Sequence, residues 1–494
     1  MNDVTSGQSL AVANKRLAEH DSSLWGELAQ PVARERLGWI DLPERSRELL
    51  PALDALSAWA RSSGLTRVVL SGMGGSSLAP EVIAAANKKE LTLLDSTHPV
   101  DVRLALEPDP KQSIFVLSSK SGTTLETLSH LKAICERLEI AQLPLKEHLI
   151  LISDPGSPLE NWAKERDIKF FPGVPEVGGR FSALTAFGLT PATLMGVDAS
   201  VLLDQAADAR KQIISDPQFI LDAAYLILTQ ADQFLGFTDS GSKYPGLSDW
   251  IEQLIAESTG KQEVGRLPIA TEGFSQAQSG GAFSISFSPG AQLVIEAEIG
   301  EHFLFWEWVT ALIGAVLEID PFNQPNVTEA KEATSMILSE WSNKLPELIA
   351  PSVDEDVEIF GDGNTLVAAL KNLIATTDAQ GYIAIMAYLD RRDDAAISKL
   401  RAILSEKSGR PVSFGWGPRF LHSTGQFHKG GQQNGSFLQI TGESKTNFEI
   451  PGRDFDFKTL LMAQALGDAR ALATRKYPLL RLHLSNRIAG IDQI

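Results

Sequence analysis

Cysteine is almost absent from this 494-residue chain. Cys135 stands alone, so no disulfide can form within the chain and no pair of thiols is available as a redox couple or a metal clamp. It falls in an apolar stretch with helical spacing, where a buried thiol is expected rather than a nucleophile. Positive charge is also scarce. Lys and Arg total 44 against 62 Asp and Glu, a net charge of −18, and no run of basic residues offsets it locally. Such a chain repels nucleic acid and anionic membrane, so neither is expected as a partner. An anionic ligand can still bind where a few cations and backbone amides converge in a cleft. Long hydrophobic runs are missing as well. The longest, Trp308 to Leu317, lies between Glu307 and Glu318 and is too short to span a bilayer. Asp3, Lys15, Arg16 and Glu19 interrupt any signal-like pattern at the N-terminus. No Cys/His/Asp set has metal-ligand spacing, so no metal is expected. The expectation is a soluble cytoplasmic protein.

What the chain does contain is an alternation of short apolar runs with helical segments. Residues 1 to about 60 read as helical and amphipathic, with Pro31 and Pro43 as breaks. From Thr66 onward, strand-like runs occur at Arg67–Leu70, Leu91–Leu94, Ile114–Leu117, Leu149–Ile152 and Lys169–Phe171, with helices predicted at 80–87, 124–138 and 157–166 between them. This order predicts an α/β fold with a parallel sheet covered by helices on both faces, whose ligands sit at the carboxyl ends of the strands. The loops in question are 71–78, 118–124, 153–157 and 173–182. Beyond about 200 the pattern is mostly helical to 260. Strands are then predicted over 282–299, a helix over 302–318, and strands at Tyr382–Leu389, Val412–Phe414 and Phe437–Ile440, with helices closing the chain. The acidic segment Val353–Glu358, between Pro351 and Gly361, reads as a surface connection.

The most informative segment follows the run ending at Leu117. Ser119, Lys120, Ser121, Gly122, Thr123 and Thr124 form a hydroxyl-rich turn that opens a helix carrying Leu128, Leu131, Ile134 and Leu138 at helical spacing. A helix N-terminus offers unpaired N–H groups and partial positive charge, and four hydroxyls within six residues complete a phosphate cradle. An ordinary helix cap followed by Glu126 would need only one hydroxyl. Gly72-Met73-Gly74-Gly75-Ser76-Ser77, after the first strand, invites a dinucleotide reading with Asp95 as ribose partner. The third glycine of that fingerprint would fall at Ser77, which disfavours it.

Taken together, Gly74-Gly75-Ser76 and Ser119 to Thr127 resemble the sugar-isomerase domain of phosphoglucose isomerases. Glu176-Val177-Gly178-Gly179-Arg180-Phe181-Ser182 and Glu257-Ser258-Thr259-Gly260-Lys261 match further motifs of that family, and Pro321 to Val327 followed by Lys331 resembles its late motif. Asn326 and Thr328 depart from the usual residues there, while Gln324 and Lys331 keep their seven-residue spacing. The family's histidine usually precedes that late motif. Here the familiar surroundings occur after it, in Gly417 to His428, an arrangement similar to the isomerase portion of fused transaldolase–phosphoglucose isomerases. His422 is favoured, with His428 second and His302 third.

The resemblance implies two sugar-isomerase lobes, the second with rearranged strand order: a helical arm over 1–60, a phosphate-binding domain over 61–200, and a second domain over 201–494. It implies reversible isomerisation of glucose 6-phosphate and fructose 6-phosphate, a step of glycolysis and gluconeogenesis, without cofactor and in a homodimer. Glu257 would be the base over the reacting carbon and Arg180 would stabilise the enediolate. His422 and Lys331 would carry protons in ring opening, and Gln324 would position the base or a water. Gly75, Ser76, Ser119, Lys120, Ser121, Thr123 and Thr124 would bind the substrate. A non-catalytic sugar-phosphate regulator, or an isomerase of a related hexose phosphate, would use the same cradle. The regulator would not explain Glu257, Gln324 and Lys331 together.

Overall fold

A computed structural model describes residues 7–342 and 344–494. Five strands form the first sheet: β1 (Arg67–Gly72), β2 (Thr92–Leu94), β3 (Ser113–Ser118), β4 (Leu149–Ser153) and β5 (Lys169–Pro172), in the order β2-β1-β3-β4-β5. All neighbours are parallel. Every residue of β3 and β4 is buried, which is why these strands read as continuous apolar runs: helices cover both faces. The chain reverses direction across the sheet between β1 and β3. The loops leaving these two strands therefore flank a crevice, the usual ligand position in such sheets.

The second half builds two further sheets. One is parallel and four-stranded, with β6 (Phe234–Thr238), β7 (Leu267–Thr271), β8 (Phe283–Ser286) and β9 (Leu293–Val294) in the order β7-β6-β8-β9. The other contains β10 (Ser352–Asp354), β11 (Val357–Phe360), β12 (Tyr382–Tyr388), β13 (Val412–Trp416), β14 (Gly435–Gly442) and β15 (Leu479–Leu484), ordered β10-β11-β15-β14-β12-β13. Edge strand β7 lies beside edge strand β13. Here β12 to β15 run parallel, and β10 and β11 are antiparallel additions at one edge.

Several expectations change. Val353–Glu358 is not a surface connection but part of the β10–β11 hairpin. Val357 and Ile359 face the core while Glu358 points outward, the alternation of an edge strand with one wet face. The segment 200–260 is mostly helical, as its pattern predicts, but β6 also lies within it. Gly236 hides that strand from its sequence: a side chain there would strike the Ala277 carbonyl oxygen at 1.8 Å. The close of the chain is not purely helical either, since β15 enters the sheet between β14 and β11 after helix Phe457–Thr474. Pro31 and Pro43 occupy the first turns of short helices, where a missing N–H costs nothing, rather than breaking them.

The N-terminal helices pack into the second half. Asn14 accepts a hydrogen bond from Trp308 Nε1 (2.7 Å), and Trp25 Nε1 donates to the Ala311 carbonyl (3.0 Å). Their host is helix Ile299–Val316, which is buried nearly all round and starts with a reciprocal Glu298/Glu301 cap. Among the described residues no helix is long and apolar enough to cross a membrane. Cys135 is half-buried, and burial pushes its thiol up to about 11, so it is unreactive at neutral pH.

Candidate active site

The turn after β1 approaches its neighbours without side chains. Gly74 adopts a left-handed conformation (φ 53°), and a Cβ there would meet Gln253 Nε2 at 2.7 Å and the His422 carbonyl oxygen at 2.8 Å. At Gly75 a Cβ would lie 2.0 Å from the Gly179 carbonyl oxygen. These glycines let three separate segments converge: the turn bearing Arg180, the helix Leu247–Thr259 bearing Gln253 and Glu257, and the turn bearing His422. Ser76 is buried in the same turn.

Loop 119–124 leaves β3 on the other side of the crevice. Ser119 Oγ pairs with Thr124 Oγ1, and Ser121 Oγ with Thr123 Oγ1, both at 2.9 Å. Thr124 stands at the cap position of helix Leu125–Ile140 but makes no side-chain cap bond. Thr124 therefore supplies no hydroxyl cap, and the first-turn N–H groups have no helical partner, although the Glu126 carboxylate accepts from its own N–H. The Lys120 ammonium turns away, donating to Asp154 Oδ2 (2.5 Å) and the Val174 carbonyl (3.2 Å).

Thr123, Thr124, Glu126, Lys331, His422 and Gln464 line one cavity of 230 Å³. The exposed Lys331 is on helix Val327–Glu340, and His422 is on the short turn Arg419–His422. His422 Nε2 lies 2.9 Å from Glu126 Oε1. Burial alone would raise the Glu126 carboxyl, but the His422 imidazole and the Lys331 charge hold it down to about 2. An ionised carboxylate only accepts, so Nε2 carries the proton and Nδ1 is the free basic position of the neutral ring. Glu126 is a residue that sequence reasoning passed over as a capping partner.

Glu257 does not line this cavity; it is largely buried in the last turn of its helix. Arg180 Nη1 lies 3.1 Å from Glu257 Oε1, and Gln253 Nε2 donates to Glu257 Oε2 (3.0 Å) and to the His422 carbonyl (2.8 Å). Gln253 thus joins the two candidate proton carriers, and its position one turn before Glu257 made it findable by spacing. The buried Arg180 guanidinium also donates to Ser258 Oγ (2.7 Å), Gln324 Oε1 (3.1 Å) and the carbonyls of Pro321 (2.5 Å) and Asn323 (3.0 Å). These contacts fix a planar cation beside Glu257. Lys261 donates to the Asp320 carbonyl; burial and neighbouring Arg180 push its ammonium well below the usual lysine range.

The other candidates sit elsewhere. His428 is a core ring, bonded through Nδ1 to the Tyr382 hydroxyl (2.9 Å) and packed on Tyr382 and Phe437. His302 is fully buried against Tyr244 and Phe287, with neither ring nitrogen hydrogen-bonded. Burial lowers both rings to about 3, leaving them neutral. Asp95 is engaged by Arg419 (2.9 Å) and Arg391 (3.5 Å), which removes it as a ribose partner.

The family model for phosphoglucose isomerase matches residues 45–219. A Campylobacter jejuni glucose-6-phosphate isomerase is 30% identical over 265 residues, 51% of this chain and 65% of the relative. One from Carboxydothermus hydrogenoformans is 28% identical over 407 residues, 63% of this chain and 87% of the relative. The chain therefore spans less than two thirds of the length of the Campylobacter protein. The crystal structure of a glucose-6-phosphate isomerase from Chlamydia trachomatis matches 66% of this chain and 79% of its own, with a TM-score of 0.53 at 19% identity, which shows a shared fold. The likeness to phosphoglucose isomerases thus covers residues 45–219 by the family model and about half of the chain in the Campylobacter alignment.

Proposed function

We propose that this protein interconverts glucose 6-phosphate and fructose 6-phosphate through a cis-enediol, as a cytoplasmic step of glycolysis and gluconeogenesis. The observation that carries this reading is one bonded chain: Glu126, in the first turn of the hydroxyl-led helix, holds His422, whose carbonyl accepts from Gln253, and Gln253 donates to Glu257, 3.1 Å from the buried Arg180. The phosphate sits on the helix N-terminus, accepting from the first-turn N–H groups and from Ser119, Ser121, Thr123 and Thr124. Gly75 and Ser76 close the other wall. Anchoring there orients the sugar carbons toward Glu257, so remote binding energy lowers the barrier at the reacting centre.

Ring opening requires a proton to leave the C1 hydroxyl and another to reach the ring oxygen. His422, oriented by Glu126, and Lys331 line the cavity where both events would occur. Glu257 then takes the proton from one reacting carbon and returns it to the other. Charge develops on the enediolate oxygens, and the Arg180 guanidinium, already desolvated and held by its neighbours, stabilises it without reorganising. Gln324, bonded to Arg180, sets the outer wall. Neither a metal nor a redox cofactor enters these steps.

Every group in this scheme comes from one chain. The homodimer implied by the resemblance would therefore hold two sites, each complete in itself. A coupled assay of fructose 6-phosphate turnover, run in chelator, tests the proposal. Turnover that falls about 10³-fold in Arg180→Met supports it. Tight hexose-phosphate binding without turnover would instead identify a sugar-phosphate regulator.

A further inference from the structure

Gln464 lines the same cavity and has no part in the scheme above. It lies on helix Phe457–Thr474, is buried, and comes from the far end of the chain. Its Nε2 donates to Glu126 Oε1 at 2.8 Å, the same oxygen that His422 Nε2 approaches at 2.9 Å. Its Oε1 accepts from Thr97 Oγ1 at 2.6 Å, and Thr97 is fully buried in the loop after β2. The direction of this chain of bonds is forced. Glu126 is ionised and can only accept, so the Gln464 amide must present N–H₂ to it and oxygen to the Thr97 hydroxyl.

We propose that Gln464, held by Thr97, is a positioning residue for His422: by occupying Glu126 Oε1 it aims the carboxylate and limits the negative charge that the imidazole meets. Two donors share one oxygen. Each weakens the other's hold, because charge drawn toward the amide is withdrawn from the ring. Removing the amide would leave Glu126 to His422 alone and make the imidazolium easier to form. The role rests on the isomerase reading for its consequence in catalysis, but not for its effect on the ring.

The charged groups around His422 are few. Lys331 faces it across the cavity, and Arg419 on its own turn is paired with Glu81 and Asp95. Glu257 reaches it only through Gln253, and Asp468, one turn beyond Gln464, is paired with Lys429 at 2.6 Å. None of these needs to move when Gln464 is replaced.

The test is Gln464→Met combined with Thr97→Val, which removes both partners and leaves no buried amide oxygen or hydroxyl unpaired. The His422 ring is followed by NMR titration of the ligand-free, histidine-labelled protein, with its signal assigned by its loss in His422→Gln. The expected result is an upward shift of the His422 titration midpoint by about 0.5–1 pH unit, with the matching limb of the kcat/KM profile moving by the same amount. If the double variant does not fold, Thr97→Val alone should give a smaller shift in the same direction. An unmoved or lowered midpoint in a folded variant overturns the proposal. A shifted midpoint in a protein without isomerase activity would uphold the relay and refute the isomerase reading.

Discussion

Gly75→Ala tests how closely the chain must pass itself for the site to exist. The added Cβ would lie 2.0 Å from the Gly179 carbonyl oxygen, 2.4 Å from its carbonyl carbon and 2.9 Å from the Arg180 amide nitrogen. All three are backbone atoms, so no flexible side chain can yield. Close packing on both sides obliges the Gly179–Phe181 turn to retreat by about 1 Å. The Arg180 guanidinium is pinned at its far end by Ser258, Gln324 and two carbonyls. A backbone shift of that size therefore comes out of its contact with Glu257, now 3.1 Å. A misplacement of about 1 Å costs on the order of 10²-fold in rate. The overpacking itself costs about 1–3 kcal/mol, too little to unfold a chain with cores of this size. The assay is kcat and KM for fructose 6-phosphate in the coupled reaction, beside thermal melting. A folded Gly75→Ala protein with kcat/KM within about twofold of wild type would refute the argument that the Gly75–Gly179 contact sets Arg180.

Gln253→Leu removes the amide that donates to both Glu257 and the His422 carbonyl, and steady-state kinetics should show kcat/KM lower by about 10- to 100-fold with little change in melting temperature. His302→Leu should preserve activity, since the ring makes no hydrogen bond in its apolar site. The buried ring stays neutral down to about 3, whereas in the unfolded chain it takes a proton below its ordinary value of 6.5. Wild type thus loses stability as pH falls below 6.5, and the leucine variant escapes this contribution. Urea midpoints should show its advantage widening by about 2 kcal/mol between pH 6.5 and 5; a constant gap would contradict the burial argument. Mixed Glu257→Gln and His422→Ala proteins, refolded together, should show no recovered activity, whereas recovery would mean that the site is shared between subunits.

The first sheet was legible because both of its faces are covered: strands such as β3 and β4 need apolar side chains at every position and stand out from the helices between them. The glycine turns and the hydroxyl loop were legible for a related reason. Close backbone approach at Gly74 and Gly75, and a run of mutually bonded hydroxyls from Ser119 to Thr124, restrict residue choice over a few consecutive positions. The edge hairpin β10–β11 was not legible, because an edge strand with one wet face can be acidic, and its alternation spans only a few residues. Nor were the partners of His422. Glu126 lies 296 residues before it, and Gln464 lies 338 residues beyond Glu126, separations at which sequence periodicity carries no signal. Gln324 and Lys331 precede His422 in the chain, yet the fold brings Lys331 and His422 to one cavity and Gln324 onto Arg180. The three histidines ranked in sequence differ in burial: His428 and His302 are core rings, and His422 lines the cavity.

Isomerisation of fructose 6-phosphate in deuterated water, followed by proton NMR for wild type and Glu257→Gln, tests the central claim most directly. The account predicts turnover by wild type with solvent deuterium entering the carbon-bound position at C1 or C2, and a loss of about 10²- to 10⁴-fold on removal of the carboxylate. Full activity in Glu257→Gln would contradict it.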